Sequence, residues 1–224
     1  MKQKENERKN GIIAALEDLI QELSLLKHPF YRTWSEGKLT LDALNGYSRE
    51  YFQLVRAIPT FVETILPKVP KTLRAEIDAL RRDEIAHIDP WRKFATALGV
   101  SSKTELNNYS GLEKTTKSIR DLSTLMKSSL YSGAAAMFAL EKEVPKISDE
   151  KIKGLVKFYG INDDDDDALE YLKIHTEIDL EHAETWQKIL ESAPEEKGEE
   201  ILAGAEKSLK AQNLLLDACY ETYC

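Results

Sequence analysis

Apolar residues recur at helical spacing along most of the chain. The stripe is clearest over residues 8–27, where it consists of Ile12, Ile13, Leu16, Leu19, Ile20, Leu23 and Leu26. Such residues lie three or four positions apart, which places them on one face of an α-helix. No segment shows the apolar–polar alternation of a strand, and no internal repeat is present. The pattern therefore predicts an all-α protein.

Prolines and capping residues divide this helical pattern. Thr40 is a typical N-cap for a long helix over residues 40–66, within which Pro59 predicts a kink or a break. The next helix covers residues 71–98, and Pro90 predicts a second kink there. We therefore expect two long helices, the first kinked or broken at Pro59 and the second kinked at Pro90.

The second half of the chain adds further helices. We expect a short one that begins with a capping box at Ser102, and others over residues 112–126, 132–144, 148–158, 168–192 and 195–220. The small residues 133–136 favour close helix packing, Pro145 ends that helix and Ser148 caps the next. The whole chain, 1–224, is predicted to form one domain of seven or eight helices. Its ends, 1–7 and 219–224, are predicted to be flexible.

Composition narrows the class of protein. The 224 residues are enough for one sizeable core, and the net charge of −8 without a Lys/Arg cluster argues against a nucleic-acid partner. No apolar stretch is long enough for a membrane span, and the N-terminus does not look like a signal peptide. Cys219 and Cys224 cannot form a disulfide framework for the core. A reducing, cytoplasmic location is expected, with small molecules as partners; a homodimer stays open.

The most informative motif is a pair of histidines with an aspartate between them. His175, Asp179 and His182 occupy positions i, i+4 and i+7 of the predicted helix 168–192. That spacing places all three on one helix face, where two imidazoles and a carboxylate suit iron, manganese or zinc. The alternative is a solvated, charged helix surface on which the histidines fall by chance.

Two other segments offer further ligands. Glu84 and His87 have the Glu-x-x-His spacing that metal sites in helical bundles use. Glu141 ends an apolar run, where a carboxylate is costly to bury unless it is paired or binds a metal. With the motif they give six ligands, enough for two bridged metal ions. The acidic run 163–167 is interpreted as a solvated helix N-terminus, because it lacks the pattern of a calcium loop.

The sequence resembles the heme-oxygenase-like di-metal oxidases, which share their fold with TenA and PqqC proteins. Within them it is most similar to the branch of the chlamydial protein associating with death domains (CADD). The similarity lies in Phe30-Tyr31, Trp34 to Thr40, His87-Ile88-Asp89 with Trp91, Glu141, Pro145, Ile147, Lys151 to Leu155, His175, Asp179 and His182.

This resemblance implies a seven-helix bundle around a di-iron or iron–manganese centre that activates dioxygen with an external reductant. For the CADD-like branch it implies synthesis of p-aminobenzoate, for folate-type cofactors, from a tyrosine of the protein itself. On that basis Tyr31 matches the consumed tyrosine and Lys151 the amino donor. Tyr171 matches a tyrosine near the metals. A structural aromatic at Tyr31 and a surface lysine at Lys151 are the alternatives.

Two departures from the family pattern are present. Glu84 and His87 are three residues apart, whereas relatives space the first Glu and His by about seven, so Asp83 is a second candidate for the first carboxylate. Leu140 stands where chlamydial relatives have a tyrosine.

Three other functions are considered. The same metal site could oxidise an external small molecule, and a metal-stabilised interaction protein is a non-enzymatic alternative. Thiaminase chemistry needs a cysteine in the core, which is not expected because both cysteines lie near the C-terminus.

Overall fold

The computed structural model describes residues 2–224, and the side chains of residues 11–224. These residues form helices without any strand, which confirms the all-α prediction. The α-helices of this region are α1 (Lys2–Glu22), α2 (Pro29–Ser35), α3 (Leu41–Val55), α4 (Ile58–Ile65), α5 (Arg74–Ala86), α6 (Ile88–Ala97), α7 (Lys103–Asn108), α8 (Glu113–Lys127), α9 (Leu130–Glu141), α10 (Val144–Phe158), α11 (Asp166–Ile174), α12 (Ile178–Glu191) and α13 (Gly198–Tyr223). Short 3₁₀ helices cover Leu25–Lys27, Leu66–Lys68 and Glu195–Lys197.

Helices α9 and α13 form the centre of the bundle. Helix α13 packs against α1, α3, α8 and α9, and α9 also packs against α12. The small residues make the approach close: a Cβ at Gly204 would lie 2.9 Å from the Ser132 carbonyl oxygen. The Ser208 hydroxyl donates to the Ala136 carbonyl at 2.8 Å across the same contact. The predicted role of the small-residue segment in packing is confirmed.

Three prolines explain where three helices end. Helix α3 ends four residues before Pro59, α5 ends four residues before Pro90, and α9 ends four residues before Pro145. A proline cannot donate to the carbonyl four residues upstream, and its ring clashes with that carbonyl. The predicted long helices 40–66 and 71–98 are therefore separate pairs, α3–α4 and α5–α6. Ser148, predicted to be a cap, lies buried inside α10.

The predicted helix 168–192 is also divided, and the prediction that its three motif residues share one helix is wrong. His175 is the C-cap of α11, and Asp179 lies in the first turn of α12. Between them, the Thr176 hydroxyl donates to the Lys173 carbonyl at 2.7 Å, a local hydrogen bond that competes with helix continuation.

The C-terminal segment is ordered, contrary to the prediction for residues 219–224. Helix α13 extends to Tyr223, and Cys219 is fully buried. A Cβ at Gly46 would meet the Tyr223 ring at 2.6 Å, so the absence of a side chain there lets the helix end pack against α3. The prediction for residues 1–7 lies outside the fully described part of the chain. No helix among residues 2–224 is long and apolar enough to cross a membrane.

Candidate metal centre and active site

All six predicted ligand residues meet inside the bundle. Each is at most 6% exposed, and each lies at or near a helix end. The six residues come from four parts of the chain: Glu84 and His87, Glu141, His175, and Asp179 with His182. The alternative of a solvated helix surface is therefore wrong for the histidine motif.

Two ligand groups share Glu84. The potential ligand atoms of Glu84, His87 and His175 lie within 4.8 Å of one another, and so do those of Glu84, Glu141 and His182. Glu84 Oε1 lies 3.7 Å from His87 Nδ1 and 3.3 Å from His182 Nδ1. This arrangement places one carboxylate between two clusters, as a bridging ligand in a two-metal site would be.

Asp179 and Asp83 occupy different positions beside these groups. Asp179 Oδ1 lies 3.7 Å from His182 Nδ1, and the residue is 2% exposed. Asp83 Oδ2 lies 3.7 Å from His182 Nε2, but its side chain is 49% exposed. Burial and central position therefore favour Glu84 over Asp83 as the first carboxylate.

Many polar atoms in this cluster are buried without a hydrogen-bond partner in the described structure. They are His87 Nδ1, both carboxylate oxygens of Glu141, Asp179 Oδ2, and both ring nitrogens of His182. An unpartnered buried polar atom costs about 1–3 kcal/mol, so a cluster of them is expensive unless something satisfies it. Nitrogen and carboxylate oxygen atoms are ligands of iron and manganese, so these residues fit a metal centre.

Burial and neighbouring charges change the protonation of the cluster. Burial, followed by the charges of Asp179 and Glu84, raises the pKa of Glu141 well above its usual value, while Trp186 acts in the opposite direction. Burial acts to raise the pKa of Glu84 too, but the imidazoles of His182 and His87 outweigh it and leave this pKa low. A bound cation would favour the ionised carboxylates.

Tyr171 supports one of the histidines. The Nδ1–H of His175 donates to the Tyr171 carbonyl at 2.6 Å, which leaves Nε2 free to bind a metal. Burial lowers the pKa of His175 to about 4, so the imidazole is neutral at physiological pH. The two rings stack with their centroids 3.9 Å apart, so Tyr171 lies beside the candidate metal ligands.

Lys151 is buried among aromatic rings, which excludes the surface-lysine alternative. Its Nζ lies 4.7 Å from the ring centre of Tyr51, 5.2 Å from Tyr47, 5.5 Å from Tyr31 and 5.9 Å from Trp91. Burial lowers the pKa of Lys151 to about 7, although the charge of Asp179 acts to raise it. A large share of the amine is therefore neutral near pH 7.

Tyr31 is one of the four rings around the Lys151 amine, which together form an aromatic cage. It is 2% exposed, burial raises its pKa well above the usual value, and its hydroxyl lies 3.2 Å from the Tyr47 hydroxyl. Rings in contact continue from Tyr47 to Tyr51 at 5.3 Å and from Tyr51 to Trp91 at 4.9 Å. The ring centres of Trp91 and Tyr171 lie 4.7 Å apart, so aromatic rings connect Tyr31 with the candidate metal ligand His175.

Two further aromatic residues of this site, Tyr47 and Tyr51, were not predicted from the sequence. They lie four residues apart on α3 and therefore share a helix face. That spacing was the available signal, but only the packing of α3 against α6 and the approach of Lys151 from α10 reveal that the rings surround this lysine.

Cys219 also lies in the core, contrary to the argument made from its position in the sequence. It is fully buried, and burial raises the pKa of its thiol well above the usual value. A thiol that stays protonated is a poor nucleophile, so its location does not favour thiaminase chemistry.

Comparison with known proteins places the chain in a family. A profile of the family described as iron-containing redox enzymes matches residues 45–213. A 4-aminobenzoate synthase from Nitrosomonas europaea is 33% identical over 93% of this chain and 91% of its own length.

Solved structures agree on the fold. A CADD-like protein from Nostoc punctiforme superposes with a TM-score of 0.79 at 16% identity, over 96% of this chain and 99% of its own. A heme-oxygenase-like domain from Shewanella denitrificans gives a TM-score of 0.77 at 15% identity, over 97% and 92%. Together with the matched profile, these likenesses show that the chain is a heme-oxygenase-like helical protein and belongs to the family of iron-containing redox enzymes.

Proposed function

We propose that this enzyme forms 4-aminobenzoate, a building block of folate-type cofactors, with dioxygen and an external reductant. Two metal ions, both iron or one iron and one manganese, would be held by Glu84, His87, Glu141, His175, Asp179 and His182. The observation that carries the proposal is the buried Lys151 amine, which lies 5.5 Å from the centre of the Tyr31 ring and is affected by the charge of Asp179 in the ligand cluster. When bound, the metals supply the redox chemistry that reduces dioxygen.

The residues of the chain have separate roles in this proposal. Glu84 lies between the two ligand groups and would bridge the metals. Tyr171 fixes the tautomer of His175 through its backbone carbonyl. The surrounding helices exclude water from the cluster, which strengthens every electrostatic interaction there.

Tyr31 is the proposed source of the carbon atoms. In 4-aminobenzoate the nitrogen is para to a carboxyl group, just as the phenolic oxygen of tyrosine is para to Cβ. One tyrosine side chain therefore contains all seven carbon atoms, provided that the Cα–Cβ bond breaks and Cβ becomes the carboxyl carbon. Tyr31 is buried next to an amine, which supports its selection over the exposed tyrosines.

Lys151 is the proposed source of the nitrogen, so its Cε–Nζ bond must break and the phenolic oxygen must leave the ring, with dioxygen and the external reductant as the redox partners. An amine must lose its proton before its lone pair can attack, and a pKa of about 7 leaves roughly half of the Lys151 side chains neutral near pH 7. The amine lies 5.5 Å from the centre of the Tyr31 ring, within reach of a flexible side chain.

Isotope labelling tests this proposal. Protein labelled with ¹³C-tyrosine and ¹⁵N-lysine is reduced, loaded with iron and manganese and exposed to oxygen. We expect both labels in 4-aminobenzoate, with loss of the Tyr31 side chain by mass spectrometry. Tyr31→Phe should abolish the product, whereas the matched exchange Tyr220→Phe, at a partly exposed tyrosine, should not. Oxygen consumption with an intact chain would instead indicate an external substrate.

A further inference from the structure

The contact between α2 and α10 is built around Trp34. The indole N–H donates to the Lys151 carbonyl oxygen at 3.3 Å, and the side chain is 1% exposed. A Cβ at Gly154 would lie 2.6 Å from Cδ1 and Nε1 of this indole. The ring can lie against α10 only because position 154 has no side chain.

The residue after α10 holds Trp34 from a second direction. The Tyr159 hydroxyl donates to the Trp34 carbonyl at 3.0 Å and accepts from the Leu39 backbone N–H at 3.2 Å. The Tyr159 ring also meets the indole edge-on, with centroids 5.9 Å apart. Both the backbone and the ring of Trp34 are therefore fixed relative to α10.

This contact is in register with the proposed reactive pair. Tyr31 precedes Trp34 by three residues on α2, and Lys151 precedes Gly154 by three residues on α10. Residues three apart share a helix face. The Trp34–Gly154 contact therefore brings Tyr31 opposite Lys151, whose Nζ lies 5.5 Å from the Tyr31 ring centre.

We infer that Trp34 is a positioning residue that holds the Lys151 amine against the Tyr31 ring. Its consequence for nitrogen transfer rests on the proposed function, but the positioning itself does not. A lysine side chain has four flexible bonds, so its amine stays close to one ring only if its backbone is fixed and its path is enclosed. The indole fixes the backbone at Lys151, and the cage encloses the side chain.

Metal-free protein tests the positioning directly. The Lys151 amine lies among four aromatic rings, so ring currents should move the NMR signal of the adjacent Hε protons away from the signals of exposed lysines. The signal that disappears in Lys151→Arg identifies these protons. Trp34→Phe removes the indole N–H and part of the ring, and should move the Lys151 signal towards the chemical shift of exposed lysines. Phe61→Leu, a truncation of a buried aromatic on α4, should leave it in place. An unmoved Lys151 signal in Trp34→Phe would overturn the inference.

A second variant tests the contact from the other helix. Gly154→Ala should also move the Lys151 signal, because its methyl group displaces the indole. In Trp34→Phe the pyrrole part of the indole, which Gly154 contacts, is gone. Adding Gly154→Ala to this variant should therefore move the Lys151 signal less than Gly154→Ala does in the native protein. Equal effects in both backgrounds would show that Gly154 does not act through Trp34.

Product yield tests the chemical consequence. In loaded Trp34→Phe we expect the yield of 4-aminobenzoate per Tyr31 side chain lost to fall roughly ten- to a hundredfold, as for a misplaced reactive group. An unchanged yield alongside a displaced Lys151 signal would refute a positioning role in the reaction. If the native enzyme makes no 4-aminobenzoate, the proposed function fails, and the NMR comparison alone decides whether Trp34 positions Lys151.

Discussion

At the scale of single residues, Lys151 shows how burial changes a side chain's contribution to stability. Its pKa is about 7 in the folded protein and about 10.5 when exposed. At pH values between these two pKa values, the unfolded chain binds more protons than the folded one. The free energy of unfolding therefore rises with pH in this range. Below pH 7 both states are protonated, and the full cost of the buried charge remains.

We therefore predict a pH-dependent difference between the native protein and Lys151→Met, both free of metal. From about pH 7 to about pH 10.5 the native protein should gain up to about 1.4 kcal/mol per pH unit relative to the variant. Denaturant unfolding at several pH values measures this difference. Parallel stability curves would mean that the buried amine is not neutralised in the folded state.

Gly154 gives a second prediction at this scale. Alanine in a helix is normally about 1 kcal/mol better than glycine, but a methyl group at position 154 would collide with Trp34. Gly154→Ala should therefore lower the free energy of unfolding by about 1–3 kcal/mol. Gly11 lies in α1 with open space around it, so Gly11→Ala is the matched control and should not destabilise. Equal effects of the two exchanges in denaturant unfolding would contradict the collision.

The shared position of Glu84 predicts how metal content changes. Because Glu84 belongs to both ligand groups, Glu84→Ala should lose both metals, whereas His87→Ala and Glu141→Ala should each keep about one. Equilibrium dialysis followed by elemental analysis measures this. Glu76 lies on α5 like Glu84, and its exposed carboxylate pairs with Lys188 of α12. Glu76→Ala should therefore bind metal like the native protein. Full retention of one metal by Glu84→Ala would contradict a bridging role.

The residue scale also shows the limit of sequence reasoning. All six proposed ligands could be named in advance, because the three histidines lie at ligand spacing from carboxylates and Glu141 ends an apolar run. Tyr47 and Tyr51 could not, because a tyrosine on an apolar helix face looks the same whether it packs on leucine or on a lysine. Only the position of Lys151 beside the tyrosine rings in the folded protein distinguishes these cases.

At the scale of elements, helix ends place the proposed metal ligands. Pro90 prevents α5 from continuing through His87, and Pro145 ends α9 at Glu141. Both prolines predict a disruption of their helix. The sequence does not show, however, that His87 and Glu141, just before these disruptions, face the centre of the bundle. The direction of a chain after a break depends on tertiary packing, which short-range patterns do not contain.

Pro90→Ala tests this role of the α5–α6 break. The exchange restores a donor for the Ala86 carbonyl and should favour one continuous helix, which would move His87 relative to His175, whose ring centre now lies 4.6 Å away. We expect metal affinity to fall roughly ten- to a hundredfold while the protein stays folded. Pro70→Ala, at an exposed position before α5, should leave the affinity unchanged. Native affinity in Pro90→Ala, measured by competition with a chelator, would show that the break is not needed.

At the scale of the whole molecule, the all-α fold could be predicted because helical periodicity dominates the chain. The C-terminal helix was predicted to end too early. Its last residues look like a polar tail, yet Cys219 is buried and Tyr223 packs against Gly46 of α3. Contacts between residues so far apart in the sequence leave no local pattern.

The ligand cluster connects α5, α9, α11 and α12, so metal should stabilise the whole bundle rather than one helix. Fe(II) added without oxygen leaves Tyr31 intact. At a free Fe(II) concentration of about 100 times the dissociation constant, it should raise the free energy of unfolding by about 2.7 kcal/mol per site. We expect thermal unfolding to move upward in a single transition, and amide exchange to slow in all four helices. Glu84→Ala is the control, because it lacks the shared ligand and should not respond. Protection confined to α11 and α12 would mean that the metal binds the histidine motif alone, without the carboxylates of α5 and α9.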